Sequence, residues 1–174
     1  ATLQIATPLQ ASIFYWAPGG TSTASGDWDT TTAANWGLAP ATGGTVWNNA
    51  GNDTAVIGDP TAGSGPGAVF ITAPVSVGSL VFNNSDITLF AFSDTNTLNF
   101  AGPAKVTLQG SSETFANIQA KLTGSSGLTV EFIDTAGSPG TYYGELKLGG
   151  NAASALTTLS GGITVKNRAS LAVD

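Results

Sequence analysis

The chain has 174 residues with no His, Cys or Met, and its 11 acidic and 5 basic residues give a formal net charge of −6. Without His it lacks the side chain that titrates near neutrality and the usual general base for a Ser or Cys nucleophile. The usual ligands of zinc, copper, haem and iron–sulfur sites are missing as well, and so few cations argue against nucleic-acid binding. We therefore expect a protein that is not an enzyme and that folds without a cofactor or metal.

Hydrophobic residues make up 41% of the chain and charged residues only 9%. A surface rich in Thr, Ser and Asn suits extended sheets, in which uncharged side chains line up in rows without like-charge repulsion. No apolar run approaches the roughly 20 residues of a membrane-spanning helix. The chain begins at Ala1 and has no Met, which we interpret as removal of a signal peptide. This predicts a secreted or cell-surface protein.

The first segment in chain order is an arm, residues 1–25, that carries no charge. Residues 2–5 alternate polar with apolar, as a half-buried strand does. We expect residues 2–14 to be donated as a strand to a neighbouring copy, because an exposed sheet edge pairs with such a segment. The alternative is that the arm folds back as the first strand of its own chain. The apolar residues that would carry the self-association are Leu3, Ile5, Leu9, Ile13 and Phe14.

Tryptophan marks the next region, residues 26–66, where strand patterns are weak and Pro, Gly and Thr are frequent. We predict a Trp-rich, loop-rich cap on one end of the fold, with a loop-rich part of the same core as the alternative. The four Trp residues would then pack inside. A second hypothesis is a sugar-stacking surface of exposed Trp28 and Trp36, with Asp27 and Asp29 as polar contacts. The four Trp residues are Trp16, Trp28, Trp36 and Trp47.

Acidic residues in the same region offer hard oxygen ligands, which makes calcium the minor alternative to ordinary turn formation. No known calcium-loop spacing is present, so we expect no metal site. The residues concerned are Asp27, Asp29, Asp53 and Asp59.

Residues 67–174 consist of short segments that alternate apolar with polar residues, separated by Gly, Asn, Asp, Ser and Pro. Helical periodicity is almost absent; its strongest candidate is residues 113–122. The pattern predicts an all-β protein, with a parallel β-helix (β-solenoid) over residues 67–174 and a β-sandwich as the alternative. The side chains expected to face inward are Leu80, Phe82, Leu98, Phe100, Leu128 and Val130.

Four segments, which follow one another along the chain in the order typical of the family, resemble the autotransporter-associated β-strand repeat family, also called passenger-associated transport repeats. They are GDWD with TAANW at residues 26–36, NDTAVIG at 52–58, VSVGSLVFNN at 75–84 and LTGSSGLT at 122–129. The resemblance implies a right-handed parallel β-helix in a bacterial exported or surface-displayed protein. It also implies a structural or adhesive role without a catalytic motif.

The sequence thus favours a non-catalytic structural protein of the cell surface or extracellular space, a self-associating unit of a fibre, layer or adhesive passenger. Such a unit would form a homo-oligomer or filament by strand exchange or end-to-end stacking. The alternative is a carbohydrate-binding module that contacts surface glycans through exposed Trp with Asp and Asn. A β-helical enzyme that cleaves acidic polysaccharides is disfavoured, because the chain has no His and a single arginine, Arg168.

Overall fold

The computed structural model describes residues 11–59, 61, 65–83, 86–137, 140–149 and 158–173, and over these residues the chain is all-β. This confirms the predicted class. The described strands are β1 (Ile13–Trp16), β2 (Gly26–Trp28), β3 (Trp36–Gly37), β4 (Thr54–Ile57), β5 (Ala68–Ile71), β6 (Val75–Asn83), β7 (Ile87–Ala91), β8 (Thr97–Gly110), β9 (Thr114–Gln119), β10 (Lys121–Gly124), β11 (Leu128–Asp134), β12 (Gly144–Leu148), β13 (Thr158–Leu159), β14 (Ile163–Lys166) and β15 (Ala169–Val173). A short 3-10 turn, Pro18–Gly20, follows β1.

These strands form two sheets. The first sheet has nine strands, with β13-β10-β8-β6-β4-β1-β3 in order and with β11 and β14 continuing from β8. The second has six strands in the order β15-β12-β9-β7-β5-β2. From β4 onward the chain passes back and forth between the two sheets. Every described pair of neighbouring strands is parallel except β1 with β3, which is antiparallel.

The register of the first sheet keeps equivalent residues side by side from one strand to the next. Thr54 lies opposite Ser79, Ser79 opposite Lys105, and Lys105 opposite Thr129. A shift by one residue would turn each apolar side chain to the opposite face of its sheet. The register, and with it each row of equivalent residues across the sheet, is therefore fixed by burial as well as by the backbone hydrogen bonds.

The core lies on the inner faces of the two sheets, where alternate residues of successive strands meet. All six side chains expected to face inward are buried, which confirms that part of the prediction: Leu80, Phe82, Leu98, Phe100, Leu128 and Val130. Ser79 and Thr129, the residues that precede Leu80 and Val130, are only partly buried. The segment with the strongest helical pattern, residues 113–122, instead contains β9, in which every second residue is buried.

Aromatic side chains gather beside β1, β2 and β3. All four Trp residues are buried, and their rings contact one another with centroids 4.7–5.2 Å apart. The Trp47 indole donates a hydrogen bond of 3.0 Å to the Ser76 carbonyl, which ties this cluster to β6. The Trp16 indole likewise donates to the Ala24 carbonyl at 2.8 Å. The Trp residues are thus part of the core.

The arm prediction is tested only at its C-terminal end, because Leu3, Ile5 and Leu9 lie outside the described residues. Ile13 and Phe14 belong to β1, which pairs in parallel with β4 of the same chain. Phe14 also packs edge-on against Trp47 at 5.6 Å. These two residues therefore pair within their own chain, which is the arrangement of the fold-back alternative; donation of the arm to another copy stays a prediction. The physical reason for this pairing is that β4 offers in-register backbone pairing and the Trp cluster an apolar contact.

Gly78 allows a close contact between β6 and the chain before β4. Its N–H donates a 2.7 Å hydrogen bond to the Asp53 carbonyl, and a Cβ at this position would collide with the Asn52 carbonyl. The register between β6 and β8 also shifts here, between Val77 and Ser79. Only glycine fits this approach without moving the backbone.

Candidate binding surfaces

The sugar-stacking hypothesis required exposed rings, but Trp28 and Trp36 have no exposed surface. Their rings lie 4.7 Å apart in the aromatic cluster, and neither indole N–H has a hydrogen-bond partner among the described residues. Burial of large aromatic surface outweighs the loss of a partner for the indole N–H. The hypothesis is therefore corrected at these two residues, since neither ring offers a face on which a sugar could stack.

The two acidic residues of that hypothesis have different surroundings. Asp27 is exposed on β2 and lies opposite Phe70 of β5. Asp29 holds the following turn together: its Oδ1 accepts the N–H groups of residues 31–33 at 2.9–3.0 Å, and its Oδ2 accepts the Thr32 hydroxyl at 2.6 Å. Burial opposes its ionisation, but the hydrogen bonds from Thr32 and from the backbone outweigh it and hold the pKa of Asp29 well below its usual range.

The remaining acidic residues considered for calcium also serve local structure. Asp53 accepts the Ser12 N–H at 2.7 Å, which fastens the chain before β1 to the chain before β4. Asp59 accepts the N–H and hydroxyl of Thr61. No group of three acidic side chains that could hold a metal ion occurs within the described part of the chain. Asp53 therefore joins two distant segments of the chain, and Asp59 stabilises a local turn.

A cluster of three phenylalanines lies on the outer face of the second sheet. Phe70 and Phe90 are opposite each other on β5 and β7, and Phe92 follows β7. The ring centroids are 5.7, 6.0 and 6.4 Å apart, and the planes differ by 8–27°. Phe92 is 80% exposed. We call these three residues the Phe cluster.

A shallow groove of about 270 Å³ lies on the same outer face, across β7, β9 and β12. Thr88 is opposite Asn117, and Asn117 is opposite Lys147, so these side chains form a row that crosses the groove. The Oδ1 atom of Asn117 is buried and has no hydrogen-bond partner among the described residues.

The end of the sheets formed by β14 and β15 exposes apolar side chains. Val165 lies opposite Val130 and Val173 opposite Leu148, both of which face the core. Yet Val165 is 41% and Val173 is 69% exposed. Among the described strands, β14 pairs only with β11, and β15 only with β12. Among the described residues, the inward-facing rows therefore end in partly exposed apolar side chains at this end, which we call the C-terminal end.

The functional hypotheses from sequence missed the Phe cluster. A signal for it existed: Phe70 lies between Val69 and Ile71, both of which are buried, so alternation turns Phe70 outward. The sequence could not bring Phe70 and Phe90 together, because their contact depends on how β5 and β7 align. In the same way, only the pairing of β7 with β9 and of β9 with β12 brings Thr88, Asn117 and Lys147 into one groove.

Comparison with known proteins finds similarity to an adhesin. The chain is 31% identical over 185 residues to the Adhesin BmaC autotransporter of Brucella suis biovar 1 (strain 1330). The match covers 98% of this chain but 5% of the length of that protein. No protein-family model and no solved structure matches the chain. The chain is therefore similar to one short segment of a much longer autotransporter adhesin.

Among the described residues, no helix is long and apolar enough to cross a bilayer.

Proposed function

We propose that this chain is a non-catalytic β-solenoid unit of a bacterial surface adhesin, exported to the cell surface or the extracellular space. Its coils stack to form an extended support, and the C-terminal end accepts a further coil. In the isolated chain that coil belongs to a second copy, which leads to end-to-end association.

The observation that carries the proposal is the passage of the chain between two parallel sheets. Strands β4 to β9 alternate between the sheets, and each pairs in parallel with the equivalent strand of the preceding or following turn. Opposed residues in the first sheet are 25 apart at Thr54 and Ser79, and 26 apart at Ser79 and Lys105. Parallel strands that recur at such an interval are expected of successive solenoid coils.

The difference between the two ends supports association through the C-terminal end. At the N-terminal end, antiparallel β3 and the Trp cluster cover the core, as expected of a cap. At the C-terminal end, Val165 and Val173 remain exposed although they continue the inward-facing rows. An exposed strand edge with an apolar inner side favours addition of another strand.

The chemistry of the chain and its similarity to an adhesin agree with this role. The sequence supplies no His or Cys for acid–base or nucleophilic catalysis. A segment of a long autotransporter adhesin from Brucella suis is 31% identical to it. These observations support an adhesive, extracellular structural unit, since a solenoid needs no reactive site in order to carry a binding surface.

Sedimentation velocity at rising protein concentration tests the stacking. Burial of the two valines gives about 1.5–3 kcal/mol each, and the backbone hydrogen bonds of a newly paired strand add about 0.5–1.5 kcal/mol each. The sum is close to the association cost of about 4–15 kcal/mol. We therefore expect weak association, visible at several hundred micromolar. The double substitution Val165→Lys with Val173→Lys should suppress it, because it places two charges at the C-terminal end.

The matched control is Thr164→Lys with Ala172→Lys. It adds the same two charges to the same strands, but on the outward side, because Thr164 and Ala172 lie opposite the outward residues Thr129 and Lys147. The control should associate like the unmodified chain. Monomeric behaviour of the unmodified chain at every concentration, or equal suppression by both double variants, would contradict stacking through this end.

A further inference from the structure

We propose that two copies of this chain associate tail to tail, so that the C-terminal end of one copy pairs with the C-terminal end of the other around a twofold axis. The assembly closes at two copies and does not grow into a filament. This mode of association rests on the function proposed above, and it specifies which surface of the second copy meets the C-terminal end.

The N-terminal end of the second sheet is closed to a further strand. Among the described strands, β2 pairs only with β5, so a strand of another copy would have to add at its other edge. The Trp28 carbonyl accepts the Thr72 N–H on the side of β5. Because backbone groups alternate along a strand, the Asp27 carbonyl points to the other edge. There it accepts the Asn35 side-chain amide at 2.8 Å, and this bond takes the acceptor that an incoming strand would need.

The N-terminal end of the first sheet is closed by backbone of the same chain. Strand β3 pairs with β1 on one side. On the other side, the Trp36 N–H donates to the Thr45 carbonyl at 3.0 Å, and the Trp36 carbonyl accepts the Thr45 N–H at 2.7 Å. Proteins commonly cover the edges of their sheets in this way, which prevents pairing with other chains.

The C-terminal end has the opposite character. Among the described strands, none pairs with the outer edge of β14 or β15. Every second residue of these two strands continues an inward-facing row, and each of these side chains is partly or largely exposed: Ile163, Val165, Ala169, Leu171 and Val173. An edge with backbone donors and acceptors and an apolar inner side is one that another strand extends.

One closed end and one open end leave a single way for identical copies to pair their strands. Head-to-tail stacking would join the open end of one copy to the closed end of the next. Two open ends, in contrast, meet around a twofold axis perpendicular to the direction in which the strands stack. This rotation makes the edge strands of the two copies antiparallel, a pairing that sheets form readily. It also keeps the apolar rows of both copies on the inside, and a contact between like surfaces closes at two copies.

Charge alone would favour the head-to-tail arrangement, so salt distinguishes the two. Six acidic residues precede Lys105, the first basic residue of the chain, whereas Lys166 and Arg168 are exposed at the C-terminal end. Glu131 lies opposite Lys166 and balances part of this charge. Exposed charges contribute little to association compared with paired backbone. Salt should therefore leave tail-to-tail association unchanged or strengthen it by screening like charges, but it would weaken a contact between acidic and basic ends.

Sedimentation velocity of a fluorescent tracer tests the orientation. The tracer is the double variant Val165→Lys with Val173→Lys, which also carries Ser111→Cys as the attachment site for a dye. Ser111 is exposed between β8 and β9, and the chain has no other Cys. The C-terminal end of the tracer is blocked, while its N-terminal end is unchanged. In an excess of unmodified chain the tracer should sediment as a monomer, because it has no open end.

The matched control carries the dye on Ser111→Cys alone. Under the same conditions it should sediment faster than the tracer, since both of its ends are unchanged. A second measurement needs no variant. In sedimentation equilibrium, the average mass of the unmodified chain should rise with concentration toward that of two copies and should not exceed it. The rise should not diminish between about 50 and 500 mM NaCl.

The outcomes separate this mode from the association on which it rests. A tracer that sediments with the unmodified chain would overturn the tail-to-tail mode, and so would a mass above two copies or an association that weakens with salt. Each of these results would leave association of the chain itself standing. An unmodified chain that stays monomeric at every concentration would overturn both the tail-to-tail mode and the proposed association.

Discussion

Replacement of Leu80 by Ala probes the centre of the first sheet. Leu80 has no exposed surface, and its opposite residues on the two neighbouring strands, Ala55 and Val106, are buried as well. Since β6 is paired on both sides, the surrounding backbone cannot collapse into the cavity. The cost should then lie in the middle or upper part of the usual range for Leu→Ala, about 3–4 kcal/mol.

The assay is urea unfolding followed by the fluorescence of the four buried Trp residues. At this chain length, about 3–4 kcal/mol corresponds to a fall in Tm of roughly 6–16 °C. The control is Ser79→Ala, which changes the outward neighbour and should alter the free energy of unfolding by less than about 0.5 kcal/mol. Equal losses for Leu80→Ala and Ser79→Ala would refute the assignment of inner and outer faces.

Three further predictions follow from single contacts. Gly78→Ala should lower the free energy of unfolding by about 1–3 kcal/mol, because the new Cβ collides with the Asn52 carbonyl. Gly102→Ala is the control: its Cβ contacts only the flexible Asn52 side chain, so the same urea titration should show little change. Asp29→Asn should destabilise the chain at pH 7, and the difference should shrink as the pH falls below about 4, because the pKa of Asp29 is lowered only in the folded state. A chelator should leave the Tm unchanged, since no metal is expected; a fall of more than about 5 °C would contradict this.

Much of the strand pattern could be predicted from the sequence, because burial repeats every second residue in segments such as residues 79–82 and 128–132. The all-β class and the inward-facing residues followed from that alternation. The order and the parallel direction of the strands could not be predicted in this way, because alternation within one strand does not show which strand it pairs with. The β-helix therefore stays a proposal supported by the pairing, and the predicted divisions near residues 25 and 66 stay predictions.

The candidate site was harder to predict for a related reason. Composition drew attention to Trp28 and Trp36, which are the largest aromatic residues and lie beside acidic ones. Burial removes them from the surface, and the exposed aromatic surface is formed by Phe70, Phe90 and Phe92 instead. Asp27 is exposed on β2, opposite Phe70, and its role as a glycan contact stays a prediction.

Disulfide trapping tests the central claim of stacked parallel coils most directly, because the chain has no native Cys. Paired strands lie about 4.8 Å apart, within reach of a disulfide, whereas strands separated by one other are about 9.6 Å apart and out of reach. We predict rapid oxidation for Thr54→Cys with Ser79→Cys and for Thr129→Cys with Thr164→Cys, which are opposed residues on paired strands. Ser79→Cys with Thr129→Cys, separated by β8, should stay reduced. Efficient bonding of this last pair, or failure of both opposed pairs, would contradict the stack.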